Sequence, residues 1–327
     1  MDIRSSDAIV VTEGLRKRFG RTQALAGLDL AVPAGTIFGV LGPNGAGKTT
    51  AIRILATLTT VDEGRATVAG YDVVRQSRQV RRHIRLTGQH AALDEDLTGR
   101  ENLYIFARLL HLRRAEARRR AEELLERFGL ADAADRLVRT YSGGMRRRLD
   151  LISSMLVPPA VLFLDEPTTG LDPRSRNEIW DTTRELVAQG ATVLLTTQYL
   201  AEADQLAQHI AVIDGGRVIA SGAPKELKAR IGGRIDVVVH ADHDIDVAQR
   251  ALAGMARVAP DVDHDQRRLS VPFGSESMSL PEVVRRLDAA GVNPADVAVR
   301  LPTLDEVFLT LTDAAAGSDD RNPATRL

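Results

Sequence analysis

The 327-residue chain contains no cysteine, which excludes a disulfide framework and any thiolate metal site and fits a reducing compartment. An excess of charge is missing as well. Forty-three Lys and Arg stand against 44 Asp and Glu, for a formal net charge of -1. Nucleic-acid binders usually carry a strong basic excess, so a nucleic-acid partner is not expected. No apolar run approaches the ~20 residues needed to cross a bilayer; stretches such as 192–196 have only strand length. Residues 1–7 are too polar for a secretory signal. A membrane role must therefore come through a partner chain. What remains is an ordinary globular composition, 44% hydrophobic, long enough for one large domain or two smaller ones.

The most informative segment is Gly42-Pro43-Asn44-Gly45-Ala46-Gly47-Lys48-Thr49, followed by Thr50. It fits the phosphate-cradling pattern G-x-x-x-x-G-K-[ST]. The apolar run 37–41 before it reads as a buried parallel strand, and 51–55 behind it has helix-like composition, the context that the pattern requires. Glycines let the backbone curl with several N–H groups pointing inward, and the helix N-terminus adds partial positive charge. Lys48 is expected to reach the β- and γ-phosphates, and the Thr49 hydroxyl to be a hard oxygen ligand for Mg²⁺. The segment implies a bound nucleoside triphosphate.

Short apolar strands alternate with helical stretches over the first two thirds, which predicts an α/β layer with a parallel sheet; 161–164 and 192–195 are further buried-strand candidates. Between about 95 and 155 helical sequence takes over. The stretch 113–128 places Arg and Glu mostly on an exposed side, and Gly129 suits a C-terminal cap. A helical subdomain inserted into the α/β core is expected. Glycines near Gly232-Gly233 mark a boundary. Beyond it, strand-like 235–239, helical stretches near 245–255 and 278–290, and strand candidates near 257–262, 267–272 and 296–301 match a small split βαβ domain. Residues 314–327 read as a disordered tail. The expected division is a domain over 1–228, a small α+β domain over 229–313 and the tail.

A second nucleotide element follows the strand at 161–164, where Asp165 and Glu166 sit at the strand's C-terminal end, as ligands do in open α/β sheets. Asp165 is expected to hold Mg²⁺ through its water shell and Glu166 to orient and polarise an attacking water. The segment Tyr141-Ser142-Gly143-Gly144-Met145 completes the set. With the phosphate loop and the two acids, the chain resembles the ATP-binding-cassette family, whose signature is usually Leu-Ser-Gly-Gly-Gln. Ser142, Gly143 and Gly144 match it; Tyr141 and Met145 depart at the ends. A serine hydroxyl and exposed Gly-Gly N–H groups at a helix start form an anion site.

The resemblance implies a P-loop NTPase cassette and ATP hydrolysis with Mg²⁺. It implies a head-to-tail homodimer in which Ser142, Gly143 and Gly144 of one copy complete the γ-phosphate pocket of the other. By sequence context Gln89 resembles the family's glutamine that contacts Mg²⁺ or water and senses the membrane partner. Asp172 resembles the aspartate linking the two sites, and Phe19 the aromatic that stacks on adenine. Gln198 stands where the family usually carries a switch histidine. It can donate an amide N–H to a phosphate oxygen but cannot become cationic near neutral pH.

The ending 301–309, together with Thr196-Thr197-Gln198-Tyr199-Leu200, resembles ATP-binding subunits of drug exporters of the daunorubicin-resistance type. This implies a separate integral membrane permease and a peripheral location on the cytoplasmic membrane face. Lipid or polysaccharide export, or a non-transport cassette role, are the alternatives. Leu301, Leu304, Val307, Phe308 and Leu311 recur at helix-like spacing, suited either to docking on the chain's own domain or to pairing with the second copy. His240 and His243 lie among Asp242 and Asp244, but no element places them on one face, and they read as solvated surface.

Overall fold

The computed structural model describes residues 8–88, 92–253, 260–273, 280–300 and 302–310. Gln89 and the 314–327 tail therefore lie outside the described residues. The chain divides into two compact units, Met1–Ala223 and Pro224–Leu327.

The first unit opens with β1 (Ala8–Phe19) and β2 (Thr22–Pro33), a hairpin closed by Gly20 and Arg21. Strand β3 (Ile37–Leu41) leads into helix α1 (Lys48–Leu55), followed by β4 (Glu63–Val68), β5 (Tyr71–Asp72), α2 (Ser77–His83) and β6 (Ile84–Thr87). A helical stretch holds α3 (Gly99–Leu109), α4 (Arg114–Arg127) and α5 (Gly143–Ser153). Then come β7 (Val161–Asp165), α6 (Pro173–Ala188), β8 (Thr192–Thr197), α7 (Leu200–Leu206), β9 (His209–Asp214) and β10 (Arg217–Gly222).

Two sheets result. The central one runs β10-β9-β3-β8-β7-β6 and is parallel apart from β10, which pairs antiparallel with β9. Every residue of β3, β7 and β8 is buried, the burial on both faces that makes parallel strands read as unbroken apolar runs. Successive side chains serve opposite cores. Ile37, Leu162, Leu164, Val193 and Leu195 pack with residues of α3 to α6, whereas Phe38, Val161, Phe163 and Leu194 pack with α1, β1, β2 and β4. The helical stretch lies between β6 and β7. Helix α3 begins at a capping box, Thr98 with Glu101. Gly129, φ 65°, follows the end of α4.

The second sheet, β2-β1-β4-β5, is antiparallel and was not anticipated. The period-2 signal that would mark β1 is broken by register shifts between Thr12 and Leu15 and again between Leu15 and Arg16. At this irregularity Gly64, φ 89°, comes so close to β1 that a Cβ would lie 2.4 Å from the Gly14 carbonyl oxygen.

The second unit contains α8 (Pro224–Ile231), β11 (Gly233–Val239), α9 (Asp242–Leu252), β12 (Asp261–Asp263), β13 (Arg268–Phe273), α10 (Leu280–Ala289) and β14 (Pro294–Arg300). Its sheet order β12-β13-β11-β14, wholly antiparallel, is that of a split βαβ fold. Ile245, Leu252, Val283 and Leu287 from the two helices pack on Ile235, Val237 and Val271. Asp236 accepts from Arg300 at 3.0 Å and from Ser270. Residues 304–310 are helical. Thr303 and Glu306 cap that helix reciprocally, and Glu306 also takes the Arg300 guanidinium with both oxygens, at 3.0 and 2.9 Å. Leu304 and Val307 are buried within the chain. Among the described residues no helix is long and apolar enough to cross a membrane.

Candidate nucleotide site

Strand β3 delivers the loop 42–47 to the C-terminal edge of the central sheet, and two of the loop's glycines, Gly42 and Gly47, answer to specific crowding. Gly47, φ 107°, caps α1, and a Cβ there would sit 2.5 Å from the Ala24 carbonyl oxygen. At Gly42 a Cβ would come 2.3 Å from the Ile213 oxygen. Strands β2 and β9 therefore hold the loop against α1 so closely that side chains do not fit. Lys48 is only 5% exposed. Its ammonium donates to the carbonyls of Gly42 at 2.7 Å and Pro43 at 3.0 Å. Burial pulls its pKa down, opposed by the negative charges of Glu166 and Asp165.

Asp165 ends β7, nearly buried. Its Oδ1 accepts from the Thr49 hydroxyl at 3.2 Å and from the Thr196 hydroxyl at 2.6 Å. The same Thr196 hydroxyl accepts the Glu166 N–H at 3.2 Å, which also reaches the Thr196 carbonyl at 3.0 Å. Glu166 has φ 50°, a left-handed conformation costing on the order of 1–2 kcal/mol for a residue with a Cβ. Strain of this kind concentrates at functional sites. Thr49 and Asp165 offer only hard oxygens, the donor type that suits Mg²⁺.

Asn44, Gly45, Lys48, Thr49, Thr50 and Glu166 line one cavity of about 320 Å³. Phe19 is 51% exposed at the β1–β2 turn, which excludes a core role. It pairs across the hairpin with Thr22, itself on the cavity wall. Glu166 also faces a second cavity of about 560 Å³, shared with Gly143, Arg146, Arg147, Thr169 and Leu171. Lys48, Thr49 and Glu166 thus share one cavity, and Glu166 shares the other with Gly143.

Ser142 is the N-cap of α5, its hydroxyl accepting the Met145 N–H at 3.2 Å. Ser142 and Gly143 are exposed. Gly144 is buried so tightly that a Cβ would lie 2.3 Å from the Ser175 hydroxyl. The departures at either end have packing roles. Tyr141 is buried and donates its hydroxyl to the Ala133 carbonyl at 2.7 Å, lying where a Cβ on Gly99 would clash. Met145 packs on the helical core. Asp172 caps α6, accepting from Arg174 N–H and Ser175 N–H at 3.0 Å and from the Ser175 hydroxyl at 2.7 Å. Gln198 is exposed just beyond the end of β8.

Four residues escaped the sequence reading. Thr196 bridges the two acids, and nothing local distinguishes it from Thr197. Glu202, almost fully buried, accepts from the Trp180 indole N–H at 3.1 Å. Burial pushes its pKa up, with the hydroxyls of Thr197 and Thr168 acting the other way. Arg147 and Asp150 are buried on α5. A charge inside the apolar run Leu149-Asp150-Leu151-Ile152 was the available signal for Asp150.

The sequence pattern of the ABC transporter family matches residues 25–169. The daunorubicin resistance ATP-binding protein DrrA3 of Streptomyces coeruleorubidus is 57% identical, over 97% of this chain and 98% of that protein. The daunorubicin/doxorubicin resistance ATP-binding protein DrrA of Streptomyces peucetius is 50% identical, over 96% and 94%. Among solved structures, CbiO1 from Clostridium perfringens, part of the ABC transporter complex CbiONQ, superposes with a TM-score of 0.64 at 27% identity, covering 68% of this chain and 91% of that one. The loop before α1, the acids at the end of β7 and the serine–glycine start of α5 all fall within the matched residues, and the chain belongs to the ATP-hydrolysing ATP-binding proteins of the ABC transporter family.

Proposed function

We propose that this chain is the ATPase subunit of an exporter for drug-like hydrophobic compounds, working with a separate membrane permease from the cytoplasmic face. The observation that supports the drug class is similarity over nearly the whole length, second unit included, to proteins named for daunorubicin resistance.

The chemistry follows from the side chains at the loop. Backbone N–H groups of 42–47 and the Lys48 ammonium bind the β- and γ-phosphates, exchanging the carbonyl contacts of Lys48 for phosphate oxygens. Phe19 stacks on adenine. Thr49 and Asp165, with Gln89, would hold Mg²⁺, which would neutralise phosphate charge when bound. Glu166 orients water toward the γ-phosphorus and accepts its proton as the bond to the bridging oxygen of ADP breaks. Gln198 donates its amide to a γ-phosphate oxygen. Ser142, Gly143 and Gly144 of a second copy complete the pocket, and Asp172 joins the two sites. That Ser142 and Gly143 are exposed supports this reading.

Glu166→Gln tests it. Hydrolysis should fall roughly 10²–10⁴-fold with ATP binding kept, the protein should dimerise at saturating MgATP, and daunorubicin efflux from vesicles carrying the permease should stop. Normal turnover in this variant would remove Glu166 from the mechanism. Hydrolysis without any drug efflux in the unsubstituted protein would favour another cargo.

A further inference from the structure

Helix α5 carries a buried ion pair one turn beyond its serine–glycine start. Arg147 is 8% exposed and Asp150 5% exposed, and their side chains approach to 3.7 Å. Such a pair is costly to bury, and apolar residues of similar volume would often serve stability as well or better. Its geometry is also poor as a pure salt bridge. One terminal nitrogen of Arg147 and Oδ2 of Asp150 find no hydrogen-bond partner among the described residues. Their remaining polar atoms are spent on backbone in other segments. Arg147 Nε donates to the Pro167 carbonyl at 2.8 Å, and a terminal nitrogen donates to the Gly88 carbonyl at 2.5 Å. Asp150 Oδ1 accepts the Ala92 N–H at 3.2 Å.

These three backbone groups are not arbitrary. Pro167 directly follows Glu166, the residue with the left-handed backbone. Gly88 and Ala92 flank residues 89–91, among them Gln89. One rigid guanidinium fork therefore joins α5 to the peptide after Glu166 and to the near flank of Gln89, while its ion-pair partner holds the far flank. Two further arginines reach the same region, Arg146 to Glu95 at 2.7 Å and Arg139 to Asp96 at 3.0 Å. Both of those pairs are largely solvent-exposed and contribute little. The buried pair is the stiff connection.

We infer that Arg147 and Asp150 are positioning residues, a clamp that ties the signature helix to Glu166 and to both flanks of Gln89. A displacement of α5, when its serine–glycine start meets nucleotide on a second copy, is then passed through Arg147 to the Glu166–Pro167 peptide. The inference rests on Glu166 being the base proposed above. Because contacts to backbone rather than to substrate carry it, the effect belongs in turnover and not in nucleotide affinity.

The test uses the full-length chain with its permease subunit. Arg147→Met alone leaves a buried carboxylate unpaired and should lower stability. Arg147→Met combined with Asp150→Leu removes both charges and should restore it. If the pair positions Glu166, the double variant still shows kcat for ATP down roughly ten- to a hundredfold, with KM within about threefold of the unsubstituted protein. A kcat within twofold, at restored stability, overturns the inference and leaves the pair merely structural. Arg147→Lys gives a second reading that does not depend on folding of the double variant. It keeps the charge beside Asp150 but lacks the fork that spans two carbonyls, so the same kcat loss is expected and normal kcat again overturns it. Glu166→Gln is measured alongside. If it turns over normally, the base assignment itself has failed. If it is inactive while the Arg147 variants work normally, only the clamp has failed.

Discussion

Replacing Thr196 by Val isolates one hydroxyl at the centre of the candidate site. The swap nearly conserves volume at a fully buried position, so no cavity term enters. The hydroxyl donates to Asp165 Oδ1 at 2.6 Å and accepts from Glu166 N–H at 3.2 Å. The Glu166 N–H keeps its bond to the Thr196 carbonyl at 3.0 Å, so that half of the loss is close to zero. A hydrogen bond to a charged group contributes about 1.5–3 kcal/mol, and among the described residues the Asp165 carboxylate retains the longer contact with Thr49. The expected loss of stability is therefore about 2 kcal/mol. Trp180 is the only tryptophan in the chain and lies in the first unit, so its fluorescence in urea reads that unit selectively. A midpoint shift of about 1 M is expected for a slope near 2 kcal/mol/M. The carboxylate also loses what fixes its rotation, and removal of such outer partners weakens metal sites roughly 10- to 100-fold. The Mg²⁺ concentration giving half-maximal hydrolysis should rise by that factor. A stability change under about 0.5 kcal/mol together with an unchanged Mg²⁺ requirement would refute the claim that Thr196 holds Asp165 in place.

Two other perturbations read the packing around the site. Gly144→Ala forces a Cβ to 2.3 Å from the Ser175 hydroxyl, so about 1–3 kcal/mol of stability is lost. Ser175→Gly in the same chain should recover most of it, and a double-mutant cycle showing no coupling would contradict this close approach of α5 to α6. Glu202→Gln keeps an acceptor for the Trp180 indole but removes a buried charge. Because burial raises the Glu202 pKa above its ordinary 4.5, the native state binds that proton more tightly than the unfolded chain does. Stability is therefore lost as pH rises from that ordinary value through the raised one. The Gln variant should be more stable than its parent at neutral pH, with the difference vanishing below about pH 4.5; a pH-independent difference would exclude Glu202 titration as the cause.

Local chemistry made much of the fold legible. Strands β3, β7 and β8 stood out because both of their faces are buried, and α4 because its Ala and Leu positions repeat on one side. The antiparallel sheet of the first unit was not legible, because bulges in β1 scramble the alternation that would announce it. Among the candidate site residues, the loop 42–49 and the acids 165–166 are each contiguous in sequence, so linear spacing made them candidates. Tyr141 and Met145 looked like departures from a signature, yet their side chains are packing groups.

A glycine-rich loop of the phosphate-cradling pattern, two acids on a strand end and a serine–glycine helix start are each contiguous patterns with their own local physics, and so could be read from residue order alone. What holds them comes from packing between distant segments. Thr196 meets Asp165 across 31 residues and Arg147 reaches Gly88 across 59. A hydroxyl or a guanidinium gains such a role from the strand order and helix packing that bring distant backbone within 3 Å, and no pattern of neighbours along the chain encodes that distance.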